Sequence, residues 1–269
     1  MRPWIVVWMV GLSATFTGGA LAYPVKVTGS RATPDTEQML SRSLGYPWKG
    51  RLAHGVRLRE SKHVRLVHAY RERANHWGST ELVHLIDGAS RVVARAHGPG
   101  RLAVGELSSR YGGKISGHRS HQNGRDVDIG FYLREGKRVV PWPSFVYLRR
   151  SGSRRVGMDG RLLVFDRERN WTFVAHLASD APVPVQHLFV DNSIRRILLR
   201  HARTIGEDPT IIERAARMMV PAGGEATPHT DHFHVRIYCP PRDRPRCRDQ
   251  GPFWPWLADL HERTPVAGR

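Results

Sequence analysis

The clearest periodicity in the chain runs from Leu82 to Ala96. Leu82, Leu85, Ile86, Ala89, Val92, Val93 and Ala96 recur at helical spacing behind Ser79-Thr80, and Gly98-Pro99-Gly100 ends the run. This predicts an amphipathic helix with a hydroxyl cap, followed by a short strand at 101–107. Two further helices are predicted. One starts near Asp191 and turns Ile194, Ile197, Leu198 and Ile205 inward; the other starts at Asp208-Pro209 with Ile211, Ile212, Ala215 and Met218 inward. Two segments alternate with period two instead. In 126–133, Val127, Ile129 and Phe131 oppose Asp126 and Asp128. In 232–238, Phe233, Val235 and Ile237 oppose His232, His234, Arg236 and Tyr238. Residues 64–77 fit either a helix or a strand. Residues 23–62 have weak periodicity and read as a wrapping N-terminal arm, and the Pro- and Trp-rich tail from Pro240 reads as surface packing.

Both strands have an apolar face for helices and a polar face carrying His or Asp. An α+β fold follows: a small, mostly antiparallel sheet with helices on one face and a groove on the other. Residues 1–22 carry Arg2, an apolar run from Trp4 to Phe16 and Ala20-Leu21-Ala22, the pattern of a cleaved signal peptide, with a run too short to span a bilayer. The expectation is an exported domain over 23–269, with no break that forces a second one. In an oxidising compartment, Cys239 and Cys247 around a short Pro-rich loop suit one local disulfide.

The formal charge of +18 points to anionic partners such as murein, lipid phosphates or surface polymers. Nucleic acid is disfavoured: the arginines occur in scattered pairs, without the interleaved aromatic residues of a stacking platform. Arg119 and Arg236 are candidates for holding substrate carboxylates.

The chemistry concentrates in the histidines. Of fifteen, five fall in two strings, His118-Arg119-Ser120-His121 and His229-Thr230-Asp231-His232-Phe233-His234. His232 and His234 share a strand face, and the Asn123-Gly124 turn can fold His121 back toward Asp128. Two imidazoles and a carboxylate make a catalytic zinc set with a position left for water. A remaining imidazole then serves as base or oxyanion donor. Asp126, on the face of Asp128, competes as ligand.

The strings GHRSHQNGRDVDIGFY (117–132) and HTDHFHVRIYCP (229–240) resemble the penicillin-insensitive murein endopeptidases. These belong to the zinc peptidase group that includes lysostaphin and the D-Ala-D-Ala peptidases. Gly45-Tyr46-Pro47, Lys49 to Leu52, Gly105 to Ser108 and Ile211 to Ala215 extend the resemblance over about 45–250. It implies zinc ligands at His121, Asp128 and His234, a catalytic non-ligand histidine at His232, and further site histidines at His118 and His229. It also implies one family disulfide at Cys239–Cys247, the other family cysteines being missing. The implied activity is hydrolysis of D-alanyl–meso-diaminopimelate cross-links of peptidoglycan in the periplasm. The alternatives are a D-Ala-D-Ala carboxypeptidase or other wall-peptide hydrolase on the same fold, and a non-catalytic envelope protein that binds polyanion or metal.

Overall fold

The structure, a computed structural model, describes residues 40–156, 158, 160–179, 183–221 and 229–262. The expected signal peptide at 1–22 and its cleavage site lie outside the described residues. In chain order the strands are β1 (Arg42–Tyr46), β2 (Lys49–Ala53), β3 (Val56–Arg57), β4 (Val64–Leu66), β5 (Trp77–Gly78), β6 (Leu102–Val104), β7 (Asp126–Gly130) and β8 (Leu133–Glu135). They continue with β9 (Arg138–Val139), β10 (Ser153–Val156), β11 (Arg161–Phe165), β12 (Val185–Phe189), β13 (Met219–Val220) and β14 (His232–Ile237). The helices are α1 (Thr80–His97), α2 (Arg167–Ala178), α3 (Asn192–Thr204), α4 (Pro209–Met218) and α5 (Ala258–Glu262).

The central sheet has six strands in the order β13-β12-β14-β7-β6-β4. Its outer pairs, β12/β13 and β4/β6, are parallel; every pair between them is antiparallel. A second sheet of four strands, β10-β11-β8-β9, lies in the segment that follows β7. The α+β architecture read from the sequence is the one observed.

The predicted alternation works as expected in the two middle strands. Val127 and Ile129 of β7 and Phe233, Val235 and Ile237 of β14 are buried in one apolar core with Leu82, Leu85, Ile86 and Val93 of α1. Burial of each such side chain stabilises by about 1.5–3 kcal/mol. Ser79 caps α1 by accepting from the backbone N–H of Leu82, and Asp191 and Asp208 cap α3 and α4 in the same way from Ser193 and Thr210.

Several expectations need correction. Ala96 is exposed and Val92 half-buried, so the buried stripe of α1 is narrower than its apolar pattern. Ile205 follows the last turn of α3 and is 55 % exposed instead of inward. The ambiguous stretch 64–77 holds strand β4, a single 3-10 turn at His68–Tyr70 and the start of β5. The supposed N-terminal arm contains a regular hairpin, β1–β2, in which Tyr46 pairs with Lys49. Trp254 of the tail is buried, donates from Nε1 to the Gln186 carbonyl and stacks on Trp256. The tail there is core rather than cover.

Two further ties hold the tail to the sheet. Cys239 and Cys247 are disulfide-bonded, as the sequence suggested. Arg125, fully buried, donates to the carbonyls of Ile237 and Arg248 and to Asp249, which also accepts from the Cys239 N–H. A buried cation so enclosed is costly to disturb, because its partner is left charged in a dry place.

Unfolded, unreduced protein should therefore show no reactive thiol, and reduction should lower stability by somewhat less than the ~3 kcal/mol expected for a fifteen-residue loop. Thiol titration and denaturant melts check both. Replacing Arg125 by Met should cost about 3–5 kcal/mol in the same melts, the usual loss when one member of a buried ion pair is removed.

Candidate active site

The register between β7 and β14 builds the site. Asp128 pairs with His234, and His232 with Gly130, so Asp128, His232 and His234 share the face away from the helices. His121 and His118 come from the loop before β7. That loop is held from behind by the β1–β2 hairpin: Pro47 O accepts from Gln122 N, and Gly45 O accepts from Asn123 Nδ2. A Cβ on Gly50 would lie 2.9 Å from Asn123 Cβ, so the close approach requires glycine there. His121 itself has a left-handed backbone, φ 66°, which costs a non-glycine residue on the order of 1–3 kcal/mol and is kept only when surroundings enforce it. Here Leu107 O, accepting from His121 Nδ1 at 2.8 Å, supplies that constraint within a fully buried setting.

Four imidazoles converge on Asp128 in one manner. Each has one nitrogen committed to an outer acceptor and the other facing the carboxylate. His121 Nε2 is 3.4 Å and His234 Nδ1 3.5 Å from Asp128 Oδ1, while His232 Nε2 is 3.6 Å from the same oxygen. His118 Nδ1 is 3.7 Å from Oδ2. The outer partners are Leu107 O for His121, Asp126 for His234 at 2.7 Å, Asp231 for His232 at 2.7 Å, and Glu106 for His118 at 2.9 Å. His229 completes the group, its ring centroid 4.7 Å from that of His232.

With their outer nitrogens protonated, these rings turn lone pairs toward a carboxylate, so only acceptors face one another. His121 Nε2 and Asp128 Oδ1 are both buried without a hydrogen-bond partner. A cation resolves that conflict. Zinc bonds of about 2.0–2.1 Å place tetrahedral ligand atoms about 3.3–3.4 Å apart, close to the separations of His121 and His234 from Asp128. The donor set is nitrogen and oxygen without sulfur, which suits zinc. One ligand atom from each of His118, His121 and Asp128 also lies within 4.8 Å of the others, so His118 and His234 flank the centre from the two oxygens of Asp128.

The electrostatics follow from this crowding. Burial opposes a charge on His121, yet Asp128 and Asp126 hold its proton affinity above the ordinary value. His232 is likewise raised against burial, by Asp128 and Asp231. Burial pushes His229 down to about 3, with His232 and His234 adding to it, and pushes His234 down to about 4 despite its bond to Asp126. Asp128 stays far below the ordinary carboxylate range because the surrounding imidazoles outweigh its burial.

Two sequence expectations change here. Asp126 does not face the centre: its Oδ1 accepts from His234 Nε2 and from Arg236 Nε at 2.7 Å each. Arg236 is thereby committed to Asp126 and lies over the Phe189 ring, so it is not a free cation for substrate. Arg119 is exposed. Glu106 and Asp231 were not singled out, although both stood inside quoted strings. Glu106 binds His118, Asn75 and Arg73. Phe145 was also missed. Its ring stacks on His232 at 4.8 Å and covers Gly105 and Gly130, where an added Cβ would meet it at 2.5 Å and 2.9 Å. A glycine at a strand end next to a polar string is the signal that could have found this close approach.

A family profile for penicillin-insensitive murein endopeptidases matches residues 43–255, the span that contains all of these groups. The chain belongs to that family. Relatives bearing the murein endopeptidase name include one from Escherichia coli O6:K15:H31 (strain 536 / UPEC), 28% identical over 192 residues, covering 71% of this chain and 63% of the relative. Another, from Escherichia coli O1:K1 / APEC, is 28% identical over 194 residues with the same coverage. The chain thus spans somewhat under two thirds of the length of these murein endopeptidases. Among the described residues no helix is long and apolar enough to cross a membrane.

If the convergent acceptors are a metal cradle, adding zinc to chelator-treated protein should raise its melting temperature, and chelation should reverse the rise. Free metal at a thousand times Kd corresponds to about 4.1 kcal/mol. Asp128→Asn should abolish the response in calorimetry.

Proposed function

We propose that this protein is a zinc-dependent endopeptidase that hydrolyses D-alanyl–meso-diaminopimelate cross-links of peptidoglycan in the periplasm, after removal of a signal peptide ending near Ala22. The observation that carries the reading is the set of imidazole nitrogens facing the buried Asp128 at 3.4–3.7 Å, each ring held by an acceptor on its other nitrogen, in a chain of the murein endopeptidase family. The names of the relatives supply the substrate, and the high positive charge suits an anionic polymer.

In this reading His121, Asp128 and His234 hold the ion. Leu107 O and Asp126 fix the two rings by accepting from their far nitrogens. When bound, the ion supplies Lewis acidity that activates water and polarises the peptide carbonyl. His232 is the acid–base group. Asp231 accepts from Nδ1, which leaves Nε2 to take the proton of the attacking water and pass it to the leaving amine. Phe145 packs flat on the same ring and keeps it from rotating away. His229, neutral because it is buried, stands beside His232 and is placed to donate to an oxyanion. His118 stays on the opposite side of Asp128, bound to Glu106, as a substrate or supporting group.

Purified cross-linked muropeptide dimers should be split to monomers by the zinc-loaded protein and spared when a chelator is present, with products identified by mass. Release of free D-alanine from uncross-linked pentapeptides alone would establish a carboxypeptidase instead. Binding without any cleavage would establish a non-catalytic envelope protein.

The roles separate in variants. His121→Ala, Asp128→Ala and His234→Ala should lose zinc and activity together. His232→Ala should retain about one equivalent of zinc and lose roughly two to four orders of magnitude in turnover. His229→Ala and His118→Ala should keep zinc with smaller losses; a zinc-free His118→Ala alongside a zinc-loaded His234→Ala would exchange their assignments. Asp126→Ala should keep most of its zinc, bound more weakly by roughly 10- to 100-fold because it orients a ligand. Atomic absorption measured beside dimer cleavage decides each case.

A further inference from the structure

The site face of the central sheet continues past the imidazoles. Arg65 of β4, Ala103 of β6, Gly130 of β7 and His232 of β14 stand side by side in register on four adjacent strands. Three strand spacings separate the ends of this row, about 14 Å. Phe145 covers its middle at Gly130, so the face has a catalytic end and a second end under Arg65.

That second end is a cavity of about 620 Å³. Its size falls in the usual range for a small-molecule site, about 300–1,000 Å³. Lys62, His63, Arg65 and Arg101 line it, and none of its described lining residues is acidic. Arg65 is half-buried and pushed down to about 10, first by burial and then by Arg101, with Glu60 pulling the other way. Glu60 is occupied: its Oε1 accepts from the Leu66 N–H and from Arg71 Nη2. Arg65 therefore gives up water without a hydrogen-bonded carboxylate among the described residues in return. Tyr132 lines the same cavity at 4 % exposure, and its buried hydroxyl has no hydrogen-bond partner. The remaining wall is largely apolar, Ala103 and Val139 included. A half-buried guanidinium with no hydrogen-bonded carboxylate is expensive, and an anion in the basic cavity meets its need.

We infer that this cavity is a second binding site, which takes a carboxylate of the peptide portion of the wall polymer while the cross-link lies at the imidazole cluster. The inference rests on the proposed substrate, and it assigns Arg65 as the anchoring residue. Lys62 and Arg101, both exposed, stand at the mouth and attract the anion without fixing it. A peptide carboxylate flanked by aliphatic carbons suits the mixed wall better than a bare inorganic anion does.

Equilibrium dialysis of the full protein tests this with three probes: a monomeric muropeptide with free stem carboxylates, the same compound with those carboxylates esterified, and inorganic phosphate. The free acid should bind and the ester should not. Arg65→Gln should weaken binding roughly 10- to 100-fold, and Arg65→Lys, which keeps the charge but loses the planar fork, roughly 2- to 10-fold. Arg65→Lys keeps a long cationic side chain at this half-buried position and should leave the melting temperature unlowered, so the test survives if Arg65→Gln folds poorly. Both variants should keep their zinc. On polymeric murein they should raise KM with kcat unchanged, a split that a merely structural defect would not give. Equal binding of acid and ester, or binding indifferent to both variants, overturns the inference. Phosphate bound through Arg65 with no muropeptide bound overturns the peptide source in favour of a phosphate ligand. Binding is read without hydrolysis, so a protein that binds the free acid through Arg65 but cuts no dimer refutes the proposed activity and leaves the second site standing.

Discussion

The pairing of β7 with β14 is the constraint on which the rest depends. With Asp128 opposite His234, the apolar residues of both strands face the helices and every site residue of both strands faces the groove. A slip of β14 by one residue against β7 would turn His232 and His234 into the core and Phe233 and Val235 into water. The burial of Val127, Ile129, Phe233, Val235 and Ile237 therefore does two things at once: it stabilises the domain and it holds the acceptors together against their mutual repulsion. The site is made of groups that would separate if they were free to do so.

Around that pair the protein places constraints from distant parts of the chain. The β1–β2 hairpin supports the loop of His121, the segment after β6 contributes Leu107 O and Glu106, and Phe145 presses on His232. Each facing imidazole has its own acceptor behind it, and the acceptors differ: one carbonyl and three carboxylates. That difference matters. A carboxylate alone would raise the basicity of the ring it touches more than a carbonyl does, but burial and neighbouring charges reverse that order for two of the rings: His121, on a carbonyl, is held above the ordinary value and His234, on a carboxylate, is pushed down to about 4.

The sequence made the centre of this arrangement legible because its two strands alternate strictly and carry their polar groups in short strings. Helix α1 was legible for the same reason. Helix α2 was not. Asn170 occupies a buried position within it, bonded to the backbone of Tyr132 and Asp166, and this polar residue breaks the apolar stripe that a helical reading relies on. The second sheet was missed because its strands are short: β10 has two arginines and no buried position, and β11 buries only Leu163 and Phe165. Glu106 and Asp231 were within the quoted strings but are single carboxylates, and only tertiary contacts tell an orienting carboxylate from a ligand. Asp126 illustrates the point: its strand position made it a rival of Asp128, and its actual partners, His234 and Arg236, lie 108 and 110 residues further along the chain.

The contacts of Gly45 have a consequence for biosynthesis. Its N–H donates to Arg246 O, and its carbonyl accepts from the N–H of Arg248 as well as from Asn123. The hairpin that supports the His121 loop is thus fastened by the two residues that flank the second cysteine, late in the order of synthesis. A ribosome-bound chain that has already emerged through Asp128 still lacks both His234 and this fastening. The cluster around Asp128 is therefore completed only after the strand of His234 has been made and the segment around Cys247 has folded back onto the hairpin.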